Sequence, residues 1–215
     1  MRDNTFLKKI ASSLSSFILD HKGKITESHI KNSDLPGFLK KYLSSNPDIQ
    51  NELLELVLLS QDKPNRFANT QLAKVVADFL THAMPYLLVK LPSNFILLSD
   101  SDKESIIEAL DLKSNLKSYL ADLFTHRTKQ MVLADVAFLL KKIGADFIQV
   151  RVQMASEANS DLKTEIYKTL QKQYPNALIT FQVERKLIGG MRVIADGKMY
   201  DFSWTQKIKN LVKLI

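Results

Sequence analysis

The stretch from Phe181 to Trp204, FQVERKLIGGMRVIADGKMYDFSW, constrains the fold most, because two glycine-containing breaks divide three runs of extended pattern. Ile179, Phe181 and Val183 alternate with Thr180, Gln182 and Glu184, the period-two pattern of a half-buried strand. Gly189-Gly190 lets the backbone reach positive φ or pack closely on a neighbour. Met191, Val193 and Ala195 then alternate with Arg192 and Ile194. Asp196-Gly197 follows, and a two-residue type I′ reversal needs positive φ at both central positions, which this pair tolerates. On the returning strand Tyr200, Phe202 and Trp204 point one way, Asp201 and Ser203 the other. The residues specify a β-hairpin.

The flanking sequence turns the hairpin into a domain. Ile148, Val150, Val152 and Met154 alternate with Gln149, Arg151 and Gln153 and predict a further strand. Ser160 is the expected cap of a helix striped with Leu162, Ile166, Leu170 and Tyr174, which Pro175-Asn176 ends before the strand at 177–185. A strand, a helix of that length and a strand form a right-handed crossover that makes the two strands parallel neighbours. Trp204, Ile208, Leu211, Val212 and Ile215 give a closing helix its stripe. Helices are expected to cover one face of this small mixed sheet.

Upstream the period changes to helical. Phe6, Leu7, Ile10, Leu14, Phe17 and Ile18 mark a helix over 4–21 that Gly23 ends. Short helices follow Thr26 and Asp34. Asn46-Pro47 reads as a cap and first helical residue. The helix after it carries Ile49, Leu53, Leu54, Leu56, Val57 and Leu58, a face broad enough that Leu53, Leu54, Val57 and Leu58 are candidates for receiving a partner helix. Asn69 or Thr70 opens the next helix, with Leu72, Val75, Val76, Phe79 and Leu80 inward. Pro85 and Pro92 divide 84–98 into short pieces. Ser101 with Glu104 reads as a capping box. Leu116, Leu120 and Leu123 continue a helical pattern, as do Val132, Val136, Leu139 and Leu140 over 128–143, which Gly144 closes. The fold class is therefore α+β, with an N-terminal helical bundle over 1–110, connecting helices over 111–145 and an α/β domain over 146–215.

Chemistry is hard to find. Gly197-Lys198 is followed by Met199, and Arg192 stands where a phosphate loop needs its first glycine. A dinucleotide fingerprint lacks its third glycine. His21, His29, His82 and His126 show no His-x-x-x-His spacing, and there is no Gly-x-Ser-x-Gly elbow. The turn explains Asp196, and Asp201-x-Ser203 reads as a strand-end and helix-cap device. No catalytic residue, metal ligand or cofactor is expected. With no cysteine, disulfides are excluded. The most apolar run, Met84 to Leu98, is too short and interrupted for the roughly 20 apolar residues of a membrane span. The N-terminal residues carry Lys8 and Lys9 but also Asp3 and Asp20, and read as part of the folded protein. Net charge is +7, and residues 1–110 balance 13 Lys/Arg against 13 Asp/Glu, so the whole excess lies in residues 111–215. Such asymmetry suits nucleic acid, an anionic surface or an acidic protein partner.

Leu187-Ile188-Gly189-Gly190, the hairpin and Asp201-Phe202-Ser203 together resemble the C-terminal signature of the delta subunits of F-type ATP synthases, the oligomycin-sensitivity-conferring proteins of mitochondria. In that family a strand leads to Leu or Ile and two glycines, then a hairpin, then Asp-Gly-Ser opening a last helix; Phe202 departs from the pattern. The stretch from Tyr119 to Ile143, with His126-Arg127, is loosely similar. Gly189, Gly190, Asp196, Gly197, Asp201 and Ser203 are the structural signature that the resemblance picks out. The resemblance implies a non-catalytic stator subunit that links the catalytic head to the membrane-anchored stalk and resists rotor torque. It implies that the N-terminal bundle meets alpha subunits and the C-terminal domain meets b-type stalk subunits. Membrane contact would be indirect, on the cytoplasmic face of a bacterial inner membrane or the matrix side in mitochondria. A stalk subunit of a vacuolar- or archaeal-type ATPase is an alternative, although the prolines at 36, 47, 64, 85 and 92 disfavour its long coiled helix. A basic nucleic-acid-binding adaptor is another; basic residues without interleaved aromatics on a sheet face argue against nucleic acid as a partner.

Overall fold

The computed structural model of the protein describes residues 5–21, 24–46, 48–91, 95, 98–109, 129–204 and 206. Gly23, Pro47, Pro92, the pattern at Leu116, Leu120 and Leu123, His126-Arg127, and the closing stripe through Ile208, Leu211, Val212 and Ile215 lie outside them. The chain forms two compact units, one of residues 1–79 with 95–145 and one of residues 80–94 with 146–215.

The first unit is helical. In α1 (Thr5–Asp20) Phe6, Leu7, Ile10, Leu14 and Phe17 are buried, the stripe its periodicity predicts. α2 (Glu27–Asn32) begins at Thr26, whose Oγ1 accepts from the His29 N–H at 3.3 Å. α3 (Gly37–Ser45) begins after Pro36. α4 (Gln50–Ser60) packs on α1 and starts later than Asn46-Pro47 suggests. Asn46 instead ends α3, donating from its side-chain amide to the Tyr42 carbonyl at 3.0 Å. A 3₁₀ turn (Phe67–Asn69) leads to α5 (Gln71–Asp78), with Thr70 accepting from the Ala73 N–H at 3.0 Å.

A single carboxylate ties three of these helices together. Glu52 of α4 accepts from the Tyr42 hydroxyl at 2.5 Å and from the Leu72 N–H at 2.8 Å through Oε2, and from the Gln71 N–H at 3.4 Å through Oε1. It thereby satisfies donors that the first turn of α5 leaves without intrahelical partners.

A later cap also differs from expectation. α7 (Asp100–Ala109) is capped by Ser99, not Ser101: Ser99 Oγ accepts from the Asp102 N–H at 3.2 Å and donates to the Asp102 carboxylate at 2.6 Å. α8 (Lys129–Lys142) closes as expected at Gly144, φ +69°, with the Ala145 N–H bonded to Leu140 O and the Gly144 N–H to Lys141 O. That is a Schellman ending. A Cβ at Gly144 would come within 2.8 Å of Ala68 Cβ, so space as well as φ demands glycine there.

The second unit holds a four-stranded sheet, β1 (Ile148–Met154), β2 (Ala177–Val183), β3 (Met191–Ala195) and β4 (Lys198–Asp201), in the order β2-β1-β3-β4. β1 and β2 are parallel and the other pairs antiparallel. α9 (Ser160–Gln173) makes the expected crossover, but Asn159 caps it, accepting from the Leu162 N–H at 2.9 Å. Its buried positions are Lys163, Tyr167 and Leu170, whereas Leu162 is exposed, one residue off that i, i+4, i+7 stripe. β2 departs from simple alternation: Ala177, Leu178 and Ile179 are all buried, and Val183 emerges into solvent.

The other covering helix comes from upstream. A π turn (Phe79–Ala83) joins α5 to α6 (Met84–Lys90), giving one helical run from Gln71 to Lys90. Pro85 therefore does not break the chain. It sits at the start of α6, where the wider turn before it absorbs the missing N–H. Val89 of α6 joins Tyr167, Leu170, Val150, Val152, Ala177, Ile179, Val193 and Ala195 in the core over one sheet face. The Tyr167 hydroxyl donates to the His82 carbonyl at 2.9 Å. Among the described residues Gln71–Lys90 is long and apolar enough to cross a membrane, but Leu72 and Val76 lie in the first core and Leu88 and Val89 are buried in the second unit, as in a soluble core helix.

Candidate functional site

The signature residues converge where the Gly189-Gly190 turn meets the segment leaving β4. Asp196 (φ +49°) and Gly197 (φ +71°) form the two-residue reversal, with Ala195 opposite Lys198. At the other end Gly189 has φ +105° and Gly190 φ +73°. The Trp204 N–H donates to Gly189 O at 3.2 Å, and the Phe202 N–H donates to Met191 O at 2.9 Å. A Cβ at Gly190 would lie 2.6 Å from Phe202 O, and one at Gly189 2.7 Å from Trp204 Cδ1. Gly190 lets two backbones cross in contact, and Gly189 leaves room for the Trp204 indole.

Asp201 and Ser203 fasten that crossing. Asp201 accepts from Arg192 at 3.0 Å (Nε) and 2.8 Å (Nη2), and its other oxygen accepts from the Ser203 N–H at 2.9 Å. These bonds, from Ser203 first and then Arg192, hold the carboxyl at about 2, below its ordinary 3.8. Fully buried Ser203 is the residue that caps the helical turn starting at Trp204, its Oγ accepting from the Gln206 N–H at 3.3 Å. Asp201 serves the strand end and Ser203 the helix start, a division that residue spacing alone does not reveal. Phe202, in the place of the family's glycine, points to solvent and fills no core.

In the other unit, Leu56 and Leu59 of α4 face the core, while Leu53, Val57 and Leu58 are half-buried and Leu54 is 56% exposed. The four candidate partner-binding residues are thus those that the bundle leaves at or near its surface. Chemistry-bearing groups do not gather. Among the described residues no three of His, Cys, Asp and Glu stand close enough to hold a metal. His21 and His29 do meet, ring centroids 4.1 Å apart, a contact that a spacing search for ligands misses.

A family model described as the ATP synthase delta (OSCP) subunit matches residues 97–215, more than half of the chain and including all four strands. The chain belongs to the ATP synthase delta (OSCP) subunit family. A search of curated proteins finds no match. Membership makes the chain a peripheral-stalk subunit of an ATP synthase, a structural member of a membrane-bound complex that associates with its other subunits. It favours neither the vacuolar- or archaeal-type stalk nor the nucleic-acid adaptor.

Proposed function

We propose that the protein links the catalytic head of an F-type ATP synthase to the membrane-anchored stalk and holds the head against rotor torque. The observation that carries this reading is the family match over residues 97–215. In this reading the helical unit receives the N-terminal helices of alpha subunits, for which exposed Leu54 and half-buried Leu53, Val57 and Leu58 supply apolar surface. The sheet unit receives the ends of b-type stalk subunits, whose acidic coiled helices suit a segment, residues 146–215, that carries 11 Lys/Arg against 7 Asp/Glu. The protein performs no chemistry, needs no cofactor, and sits peripherally on the cytoplasmic face of a bacterial inner membrane or on the matrix side in mitochondria.

Affinity purification of the tagged full chain from its own cells tests this. Head and stalk subunits are expected to co-purify, and Leu54→Asp is expected to reduce recovery of alpha subunits while sparing the stalk. Recovery of the chain alone, with no affinity for either, would sink the proposal. Random oligonucleotide is expected to bind weakly at physiological salt; steep, submicromolar binding would favour the adaptor instead.

A further inference from the structure

We propose that the contact between His21 and His29 is an acid-opened latch holding α2 to the end of α1. His21 follows the last residue of α1 and His29 lies within α2; their ring centroids are 4.1 Å apart at an interplanar angle of 40°. Phe17 stands one turn before His21 with its ring centroid 4.7 Å from that of His21, so three rings run in series from one helix to the other. His21 Nδ1 lies 2.8 Å from Phe17 O. A carbonyl only accepts, so this nitrogen carries the proton. His29 Nδ1 is buried and has no hydrogen-bond partner among the described residues. A neutral His29 leaves that nitrogen bare and keeps its proton on Nε2.

Acid acts on the two rings differently. A proton added to His21 keeps the bond to Phe17 O, at a helix end whose carbonyls attract a cation. A proton added to His29 puts an N–H at a buried position with no acceptor, which costs the desolvation of that group. With both rings charged, like charges also repel across the 4.1 Å between them. Surrounding groups give no relief. Asp20 on α1 and Glu27 on α2 are exposed and neither is bonded to a ring; Lys24, Lys31 and, on α3, Lys40 and Lys41 are cations, with Lys40 donating to Lys31 O at 2.9 Å. The open arrangement, with His29 in water, binds more protons than the closed one. Closure is therefore complete with both rings neutral and weakens as pH falls through the ordinary histidine range, about pH 7 to 6. Little else holds α2, which has six residues and one buried side chain, Ile30. The latch does not depend on the role proposed above.

Amide hydrogen exchange of the full-length protein, read by NMR and corrected for the intrinsic pH dependence of exchange, tests this. The Ile30 and Ser33 amides bond to Thr26 O and Ile30 O and report on α2; the Leu53 amide, bonded to Ile49 O, reports on α4. Between about pH 7.5 and about pH 5.5 the protection of Ile30 and Ser33 should fall roughly tenfold or more, since one linked proton gives up to about tenfold per pH unit, while that of Leu53 holds. His29→Phe keeps a ring in the stack without a proton site, and its α2 should stay protected at the lower pH. His21→Gln keeps a side-chain donor for Phe17 O but cannot become a cation, and should lose much of the response. His29→Ala should loosen α2 at both pH values. Equal wild-type protection at the two pH values would overturn the latch, as would an undiminished acid loss in His29→Phe or His21→Gln. Full protection of α2 in His29→Ala would show that the contact holds nothing.

Discussion

Gly190 and Gly197 have nearly the same backbone conformation, φ +73° and +71°, in different surroundings. A Cβ at Gly197 would meet nothing within 4 Å; one at Gly190 would sit 2.6 Å from Phe202 O and 3.0 Å from Ser203 Cα. Left-handed backbone costs an L-residue about 1–2 kcal/mol, and that is the whole expected loss for Gly197→Ala. Gly190→Ala carries the same strain plus the cost of forcing two backbone segments apart, about 1–3 kcal/mol by analogy with overpacked cores. Alanine also restricts the unfolded chain, but equally at both positions, so that effect cancels in the comparison. The difference of about 1–3 kcal/mol should separate the urea midpoints by about 1 M, given slopes of about 1–3 kcal/mol/M for small units. Because the chain has two compact units, the signal must be local. Trp204 fluorescence meets that need, with far-UV circular dichroism following the whole chain. Equal midpoint shifts for the two variants would show that φ alone selects these glycines and that the crossing tolerates a methyl group.

Other consequences follow from single contacts. Tyr42→Phe should cost about 1 kcal/mol and Glu52→Ala about 3 kcal/mol, since the latter also strands the Tyr42 hydroxyl and the Leu72 N–H; burial first and Glu52 second raise the Tyr42 pKa, so the hydroxyl stays a donor. Thermal melts of the double variant should show less than the sum, and strict additivity would mean that the pair does not act as a unit. Asp201 titrates at about 2 when folded against an ordinary 3.8, so its contribution is complete above about pH 4 and lost as pH falls toward 2. Asp201→Asn should remove acid sensitivity in that window, and carboxyl NMR of Arg192→Ala should show the pKa rising only part of the way, because Ser203 remains. Burial pushes the Tyr167 pKa to about 12, keeping its bond to His82 O at ordinary pH; Tyr167→Phe should cost about 1 kcal/mol. Val89→Ala should cost roughly 2 kcal/mol in the Trp204 transition, and no effect there would mean α6 is not part of the sheet core.

Local chemistry was readable where one conformation alone satisfies it. Asp196-Gly197 between alternating runs admits little but a type I′ hairpin, and Ile148–Met154, a helix and a second apolar run admit little but a crossover. Cap positions were less legible because acceptors stand side by side: Ser99 and Ser101, Asn159 and Ser160. The stripe is a separate matter: Lys163, Tyr167 and Leu170 form the buried face of α9, and Leu162 lies one residue off it whichever residue caps. α6 was illegible for another reason. Val89 and Leu88 advertise burial but not the core they enter, and Pro85 reads as a break unless the π turn before it is known. The surface character of Leu53, Leu54, Val57 and Leu58 was visible only as an excess: the face is broader than one core requires, so part of it must remain outside.

The residues of the family signature share one physical origin. At 189–190 the chain leaving β4 comes closer than any Cβ allows: its backbone at residues 202–203 lies against Gly190, and the Trp204 indole against Gly189. With no side chain at Gly189, the Trp204 indole lies against the turn's backbone, and its outer face, with Ile188 and Phe202, is left to solvent. Arg192 and Ser203 then lock Asp201 beneath, so the exposed side chains stand on a crossing that is hydrogen-bonded rather than on a loose loop.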